Sequence, residues 1–290
     1  MGGSANAGSR ALAEPYPRYL RLLGMGGLPS GLGGLRQLVR AHLCRVPFEN
    51  VSKLLLHGRE RAARLTTLAE FLDGIEFRDL GGTCYTSNPF FAGLLRALGY
   101  DADLLGAAMS RPDVHTSIRV RLDAVGYHVD VGYGAPFREP LRLDRLPCEV
   151  AEGSYRYVLD RGPGPGEHQV TLSRGAERLH GYVVRDVPRP AAFFTPTILD
   201  SYRRDATFMN RLRVVRFFDD YSADLLDNLL TVHRGGESVT SELRDMAGLK
   251  AALRDPLGMP RCPLEEAIAV LECNTGRPIF GTSVCPADTD

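Results

Sequence analysis

The chain has 290 residues, 44% hydrophobic and 24% charged, with 35 basic residues balanced by 35 acidic ones. Such a composition suits a globular protein of one large domain or two to three small ones. Zero net charge without a basic stripe argues against nucleic acid or an anionic membrane as partner, and no apolar run approaches the ~20 residues a membrane helix needs. Residues 1–15 begin with a small, polar stretch lacking the apolar core of a signal peptide, so a flexible terminus on a cytoplasmic protein is expected. Six cysteines, at 44, 84, 148, 262, 273 and 285, are scattered without Cys-x-x-Cys or paired-histidine spacing. Neither a disulfide framework nor a zinc site is expected from them. All but two of the basic residues are arginine; the exceptions are Lys53 and Lys250.

Tyr16–Leu23 reads as a short helix stopped by Gly24. The glycine-rich stretch 24–34 lacks Gly-x-Gly-x-x-Gly spacing after a strand and is not a phosphate loop. Ser30 can cap a helix with Leu32, Leu35, Leu38, Val39 and Leu43 inward, ended by Pro47. A further short helix is expected over Thr66–Ile75, with Leu68, Phe71 and Leu72 inward. Leu80-Gly81-Gly82-Thr83-Cys84 then leads into an apolar series at helical spacing, Phe90, Phe91, Leu94, Leu95 and Leu98, which stops at Gly99. That pattern puts Cys84 at or near a helix start, where unpaired N–H groups and the helix dipole favour a thiolate. The plain alternative for a lone cysteine is a buried, inert side chain. Residues 16–100 thus read as a helical bundle.

The hydrophobic period then changes to that of strands. Leu104–Met109, Ser117–Leu122, Tyr127–Tyr133, Val150–Leu159, Gln169–Leu172 and Gly181–Val184 predict an antiparallel sheet or small barrel over 101–190, with the Gly/Pro run 161–166 as a hairpin end. Over 191–290 the expectation is a mixed segment: strands at Leu212–Phe218 and Leu225–His233, helices at Glu242–Leu253 and Leu264–Leu271.

Histidine and aspartate meet the cysteine in one predicted hairpin, 113–134. A two-residue turn at Asp123-Ala124 would put His115 opposite Gly132 and Ser117 opposite Asp130. His115 and Asp130 then share a face as diagonal neighbours, about 7–8 Å apart at the backbone. A three-residue loop would separate them. Cys84, His115 and Asp130 would make a nucleophile, base and orienting acid. His128 shares the face of Asp130 and is the rival base, but points parallel to it along one strand. The remaining histidines read as structural.

The sequence resembles the arylamine N-acetyltransferase family, which includes the amide synthases of biosynthetic clusters. The likeness is carried by Val46-Pro47-Phe48-Glu49-Asn50, by Gly81-Gly82-Thr83-Cys84 with Asn88, by His115, and by Val129-Asp130-Val131-Gly132-Tyr133-Gly134, over roughly residues 16–260. It implies an α+β fold: an N-terminal helical bundle, a central antiparallel β-barrel and a C-terminal α/β lid around a cysteine-protease-like core. It implies a Cys84, His115, Asp130 triad that moves an acyl group from a thioester, acetyl-CoA or another acyl-CoA or acyl carrier protein, to an aromatic amine or hydrazine. No permanently bound cofactor or metal is implied. Phe48, Thr83, Gly132 and Tyr133 match substrate-binding positions; Glu49, Arg78, Gly81, Gly82 and Asn88 are structural near the site. Leu80 stands where the family motif has Arg, and Thr86 where it has Glu. Arg78 is therefore expected to pair with Glu49 in place of the missing Arg, and Pro89 to delay the helix after Cys84. Two other readings remain: a transglutaminase- or papain-like acyltransferase, and a non-catalytic ligand-binding relative.

Overall fold

The computed structural model describes residues 12–60 and 63–280. The expected flexible terminus lies for the most part outside the described residues, as does Cys285. Helices α1 (Tyr16–Leu22) and α2 (Gly31–Arg45) fall where the sequence puts them, α2 with Ser30 at its cap. A two-residue strand, β1 (Phe48–Glu49), follows, and then α3 (Val51–Glu60), which the sequence reading left unassigned although Val51, Leu54 and Leu55 repeat at helical spacing. Helix α4 (Leu68–Arg78) starts from a capping box in which Thr67 and Glu70 satisfy each other's backbone N–H.

Helix α5 (Cys84–Ala97) begins at Cys84 itself, contrary to the expected delay. Pro89 is the sixth helical residue, so its ring costs only the bond to the Tyr85 carbonyl, and Thr116 on β3 anchors the first turns through Cys84 and the Asn88 side chain. Phe91, Leu94 and Leu95 are fully buried on its inner face. Each contributes roughly 1.5–3 kcal/mol by leaving water, which holds α5 against the sheet beneath it.

That sheet has eight antiparallel strands: β2 (Asp101–Ala108), β3 (His115–Leu122), β4 (Val125–Val129), β5 (Leu141–Arg142), β6 (Cys148–Glu152), β7 (Tyr155–Arg161), β8 (Glu167–Arg174) and β9 (Glu177–Arg189). Their order is β5-β4-β3-β2-β9-β8-β7-β6, and the edge strands β5 and β6 come together, so the sheet nearly closes into a barrel. Its interior is filled by Leu105, Tyr157, Leu159, Val170, Tyr182 and Val184. The β3–β4 register is the one a two-residue turn requires: Leu122 pairs with Val125 and Ile118 with Val129, with Asp123 and Ala124 both at positive φ. The expected single strand 150–159 is instead the β6–β7 hairpin, broken at Gly153 with φ +58°.

A 3-10 turn (Ala191–Phe194) and α6 (Thr195–Asp200) lead into the last layer. Strands β10 (Arg213–Phe217), β11 (Tyr221–Leu226), β12 (Leu229–Arg234) and β13 (Glu237–Glu242) form a second antiparallel sheet whose other edge is β1. The expected strand 225–233 is likewise split, with Asp227 at φ +54° in its turn. Helices α7 (Met246–Arg254) and α8 (Leu264–Thr275) pack with α3 over this sheet. The fold is α+β: a helical bundle, a nearly closed antiparallel barrel and an α/β lid. The start of α5 lies against the ends of β3 and β4, where bundle and barrel meet.

Candidate active site

Cys84 is the first residue of α5 and is buried. Thr83 caps the helix without a side-chain hydrogen bond; its carbonyl accepts the Thr86 N–H at 3.1 Å, and the cap leaves the Cys84 and Tyr85 N–H groups untaken. The Cys84 carbonyl accepts from Thr116 Oγ1 at 2.8 Å, tying the helix start to β3. One turn on, Asn88 clamps the same seam: its Nδ2 donates to the Thr116 carbonyl and to Asp130 Oδ1, and its Oδ1 accepts from the Val131 N–H. Gly132 makes that approach possible. A Cβ there would sit 2.6 Å from the Cys84 Cα, closer than real atoms come. Gly81 is equally confined, since a Cβ would lie 2.0 Å from the Pro47 carbonyl oxygen.

His115 opens β3 and Asp130 follows β4, on the shared face the hairpin register predicts. The His115 Nε2–H donates to Asp130 Oδ2 at 2.6 Å, and the neighbouring Cys84 acts on the charge of the ring. Asp130 is saturated. Oδ2 also accepts from Tyr182 OH at 2.7 Å, while Oδ1 accepts from Asn88 and from the Gly132 N–H, each at 2.9 Å. Burial opposes both charges, yet the pair prevails: Asp130 is held below the usual carboxylate range by His115 and Asn88, and His115 is raised by Asp130 and Cys84. The structure thus brings Cys84, His115, Asp130 and Asn88 together.

His128 does not share this arrangement. Its Nε2 meets Tyr182 OH at 2.9 Å, and the single Tyr182 proton goes to Asp130, so His128 donates Nε2–H and keeps a bare, unpartnered Nδ1. Burial lowers it to about 4. Tyr133 packs its ring edge-on against His115, centroids 5.2 Å apart, and stacks on Phe137. Phe48 is half-buried against Gly134 and Phe208.

The expected Glu49–Arg78 ion pair is absent. Glu49 is fully buried and takes backbone donors instead: the Gly81 N–H at 3.0 Å and the Ser52 N–H at 2.8 Å. Burial raises its carboxyl, and these N–H groups partly offset the rise. Arg78 lies elsewhere, lining a cavity of about 350 Å³ with Arg64, Glu70 and Asp73. Two backbone amides, Gly81 in the tight 80–82 loop and Ser52 at the start of α3, therefore do what a guanidinium was expected to do. Nothing in the sequence marked Tyr182, whose hydroxyl completes the Asp130 cage.

Residues 31–260 match the profile of the N-acetyltransferase family. The chain belongs to that family. It is 27% identical over 237 residues to an arylamine N-acetyltransferase of Mycolicibacterium smegmatis, covering 75% of this chain and 82% of that protein. Shorter likenesses join it to an N-malonyltransferase of Fusarium pseudograminearum, 30% identical over 51% of this chain and 47% of that protein, and to the proansamycin X synthase of Amycolatopsis mediterranei, 33% identical over 43% of this chain and 51% of that protein. Among solved structures, the arylamine N-acetyltransferase of Mycobacterium abscessus superposes with a TM-score of 0.77 at 24% identity, over 91% of this chain and 95% of that one, which shows a shared fold. The chain is accordingly an acyltransferase of the α+β N-acetyltransferase type. Among the described residues, no group of three or more His, Cys, Asp or Glu could hold a metal, and no helix is long and apolar enough to cross a membrane.

Proposed function

We propose that the chain is a thioester-dependent N-acyltransferase working through a Cys84 acyl-enzyme. The observation that carries this is His115, bonded to Asp130 at 2.6 Å and raised by the charges of both Asp130 and Cys84. In the first half-reaction His115 takes the Cys84 proton, the sulfur attacks the thioester carbonyl, and the donor thiol leaves with a proton. In the second, a neutral amine attacks the acyl-enzyme, His115 accepts its proton, and the amide departs as the Cys84 thiol is restored. Asp130 stays ionised, fixes the imidazole tautomer and supports its charged form. The start of α5 offers the Cys84 and Tyr85 N–H groups and a positive dipole to the oxyanion of each tetrahedral intermediate.

Acetyl-CoA with an aromatic amine or hydrazine is the reference substrate pair, since a likeness over 75% of this chain is to an arylamine N-acetyltransferase. A carrier-bound acyl chain released as an amide is the second reading, favoured by the likeness to a proansamycin X synthase. Tyr133 against the His115 ring and Phe48 nearby supply the flat apolar walls an aromatic amine needs. Intact-mass measurement after incubation with a panel of CoA- and carrier-linked thioesters tests both. One acyl adduct, mapped to Cys84 and discharged by an amine, is expected, and the better donor class chooses between them. Iodoacetamide at mildly acidic pH should label Cys84 ahead of Cys44, Cys148, Cys262 and Cys273. Equal labelling with no acyl adduct would overturn the catalytic assignment.

A further inference from the structure

A cavity of about 290 Å³ lies beside Cys84, walled by α3, the first two turns of α5 and the 3-10 turn with α6. It reaches the residues that flank the cysteine, Thr83, Tyr85 and Thr86, and most of its wall is apolar, including Phe90, Phe194 and Ile198. One charged side chain lines it. Lys53, only 8% exposed, comes from the first turn of α3, three residues after the Pro47-Phe48-Glu49-Asn50 motif. Its Nζ donates to Ser201 Oγ at 2.5 Å and stands 4.6 Å above the Tyr202 ring. Ser201 in turn gives its own proton to the Ile198 carbonyl, so it acts toward the lysine as a pure acceptor.

An ammonium has three donors, and Ser201 Oγ is its one hydrogen-bond acceptor among the described residues. No carboxylate pairs with it there; the neighbouring ionisable group that acts on it is Cys84. Burial lowers it to about 8, which leaves it mostly charged at neutral pH. Buried charges are ordinarily paired, because an unpaired one is expensive to desolvate. A lone cation held in an otherwise apolar pocket next to a nucleophile is therefore matched to an anion that arrives with the substrate.

We propose that Lys53 is a specificity-determining residue that binds a carboxylate carried by a substrate, so that the pocket prefers an acidic acyl chain or an acidic aromatic amine to its neutral counterpart. Its bearing on turnover rests on Cys84 being the nucleophile. A carboxylate in that pocket would accept from the two ammonium N–H groups that Ser201 does not take, and would leave the apolar part of the ligand against Phe90, Phe194 and Ile198.

The test compares matched pairs on the wild-type chain and on Lys53→Met, which keeps the length and removes the charge. For the donor, acyl-enzyme formation is timed with succinyl-CoA and butyryl-CoA, which differ in a terminal carboxylate. For the acceptor, turnover with acetyl-CoA is measured for 4-aminobenzoate and 4-aminobenzamide. In the pair whose acid enters the pocket, the acid-to-neutral ratio should fall about tenfold or more in the variant, the value of one charge-assisted hydrogen bond. Unchanged ratios in both pairs would overturn the proposal. So would an equal slowing of both members of each pair, which would make Lys53 only a partner of the Cys84 charge. Dissociation constants of the same four compounds, measured by calorimetry on Cys84→Ala with and without Lys53→Met, decide the matter without chemistry. If wild-type Cys84 accepts no acyl group from any thioester, the catalytic assignment fails by itself and this binding comparison still stands. Lys53→Met should melt at the wild-type temperature or above, since it removes a buried unpaired charge; should it fail to fold, Lys53→Gln carries the same readouts.

Discussion

Asp130 shows how a single residue binds sequence to chemistry. Its four hydrogen bonds come from four different places: β3, β9, α5 and its own loop. Two of those donors were readable in advance. Asp123-Ala124 as a two-residue turn fixes the register that puts His115 within reach, and Asn88 stands at a set distance from Cys84. Tyr182 was not readable, because a tyrosine inside an alternating strand looks like any barrel-filling aromatic, and only the barrel's closure turns its hydroxyl toward Asp130. The same holds for Lys53. Its rarity in an arginine-rich chain was visible, but the helix that carries it was not assigned, so nothing placed it beside the cysteine. Tyr182→Phe removes one donor to a buried carboxylate and leaves the His128 Nε2–H without an acceptor. The acylation rate should drop about tenfold to a hundredfold, the range of a hydrogen bond to a charged group. Stopped-flow measurement of donor-thiol release under single-turnover conditions reads this directly. A rate within about twofold of wild type would mean that His115 and Asn88 hold Asp130 unaided.

Among the elements, the 80–82 loop and β1 form the seat of α5. Glu49 holds this seat through the N–H groups of Gly81 and Ser52, and β1 also bridges to Gly82. The sequence motif suggested an ion pair there, since it carries an acid and lacks its usual arginine. The missing fact was geometric: the Gly81 and Ser52 N–H groups both turn toward the carboxylate, which no residue pattern reveals. The same blindness applies to α5, whose start at Cys84 survives Pro89 because tertiary bonds from Asn88 and Thr116 outweigh one lost helical bond. Glu49→Ala should destabilise the fold by about 2–4 kcal/mol, as two buried donors lose their acceptor. Arg78→Ala, which leaves the Glu49 donors in place, should change stability by less than about 1 kcal/mol. Urea unfolding of both variants checks the pair. Equal losses would show that Arg78 neutralises Glu49 in solution after all.

At the scale of the whole molecule, the three-layer order was visible in the change from helical to strand period and back, while the long strands 150–159 and 225–233 resolved into hairpins at Gly153 and Asp227. That β1 joins the second sheet could not be read, because two residues carry no periodicity. The strand β13 is exposed at every position and so shows no alternation either. What the assembled fold adds is a set of buried histidines with opposite tendencies. His42 is fully buried, bonded through Nδ1 to Tyr19 OH at 3.0 Å with Nε2 unpartnered, and burial lowers it to about 3. His128 is lowered by burial to about 4, whereas His115 is raised. An unfolded histidine titrates near 6.5. Below that pH the unfolded chain takes up protons that native His42 and His128 refuse, so their contribution is complete above about 6.5 and is lost as pH falls toward 4. For His115 the native state binds the proton more tightly, so its contribution is present below about 6.5 and is lost as pH rises through its raised native value. The two opposed effects make the contribution of these histidines greatest close to pH 6.5. His42→Leu should lower stability at pH 7, since Tyr19 OH loses its partner, but it should also flatten the acid limb. Between pH 6.5 and 4 the slope of unfolding free energy against pH should fall by up to about 1.4 kcal/mol per pH unit, the value of one proton. Urea unfolding across that range, with wild type and variant side by side, isolates the histidine from the carboxylates they share. Parallel acid limbs would mean that His42 is not held neutral in the native core.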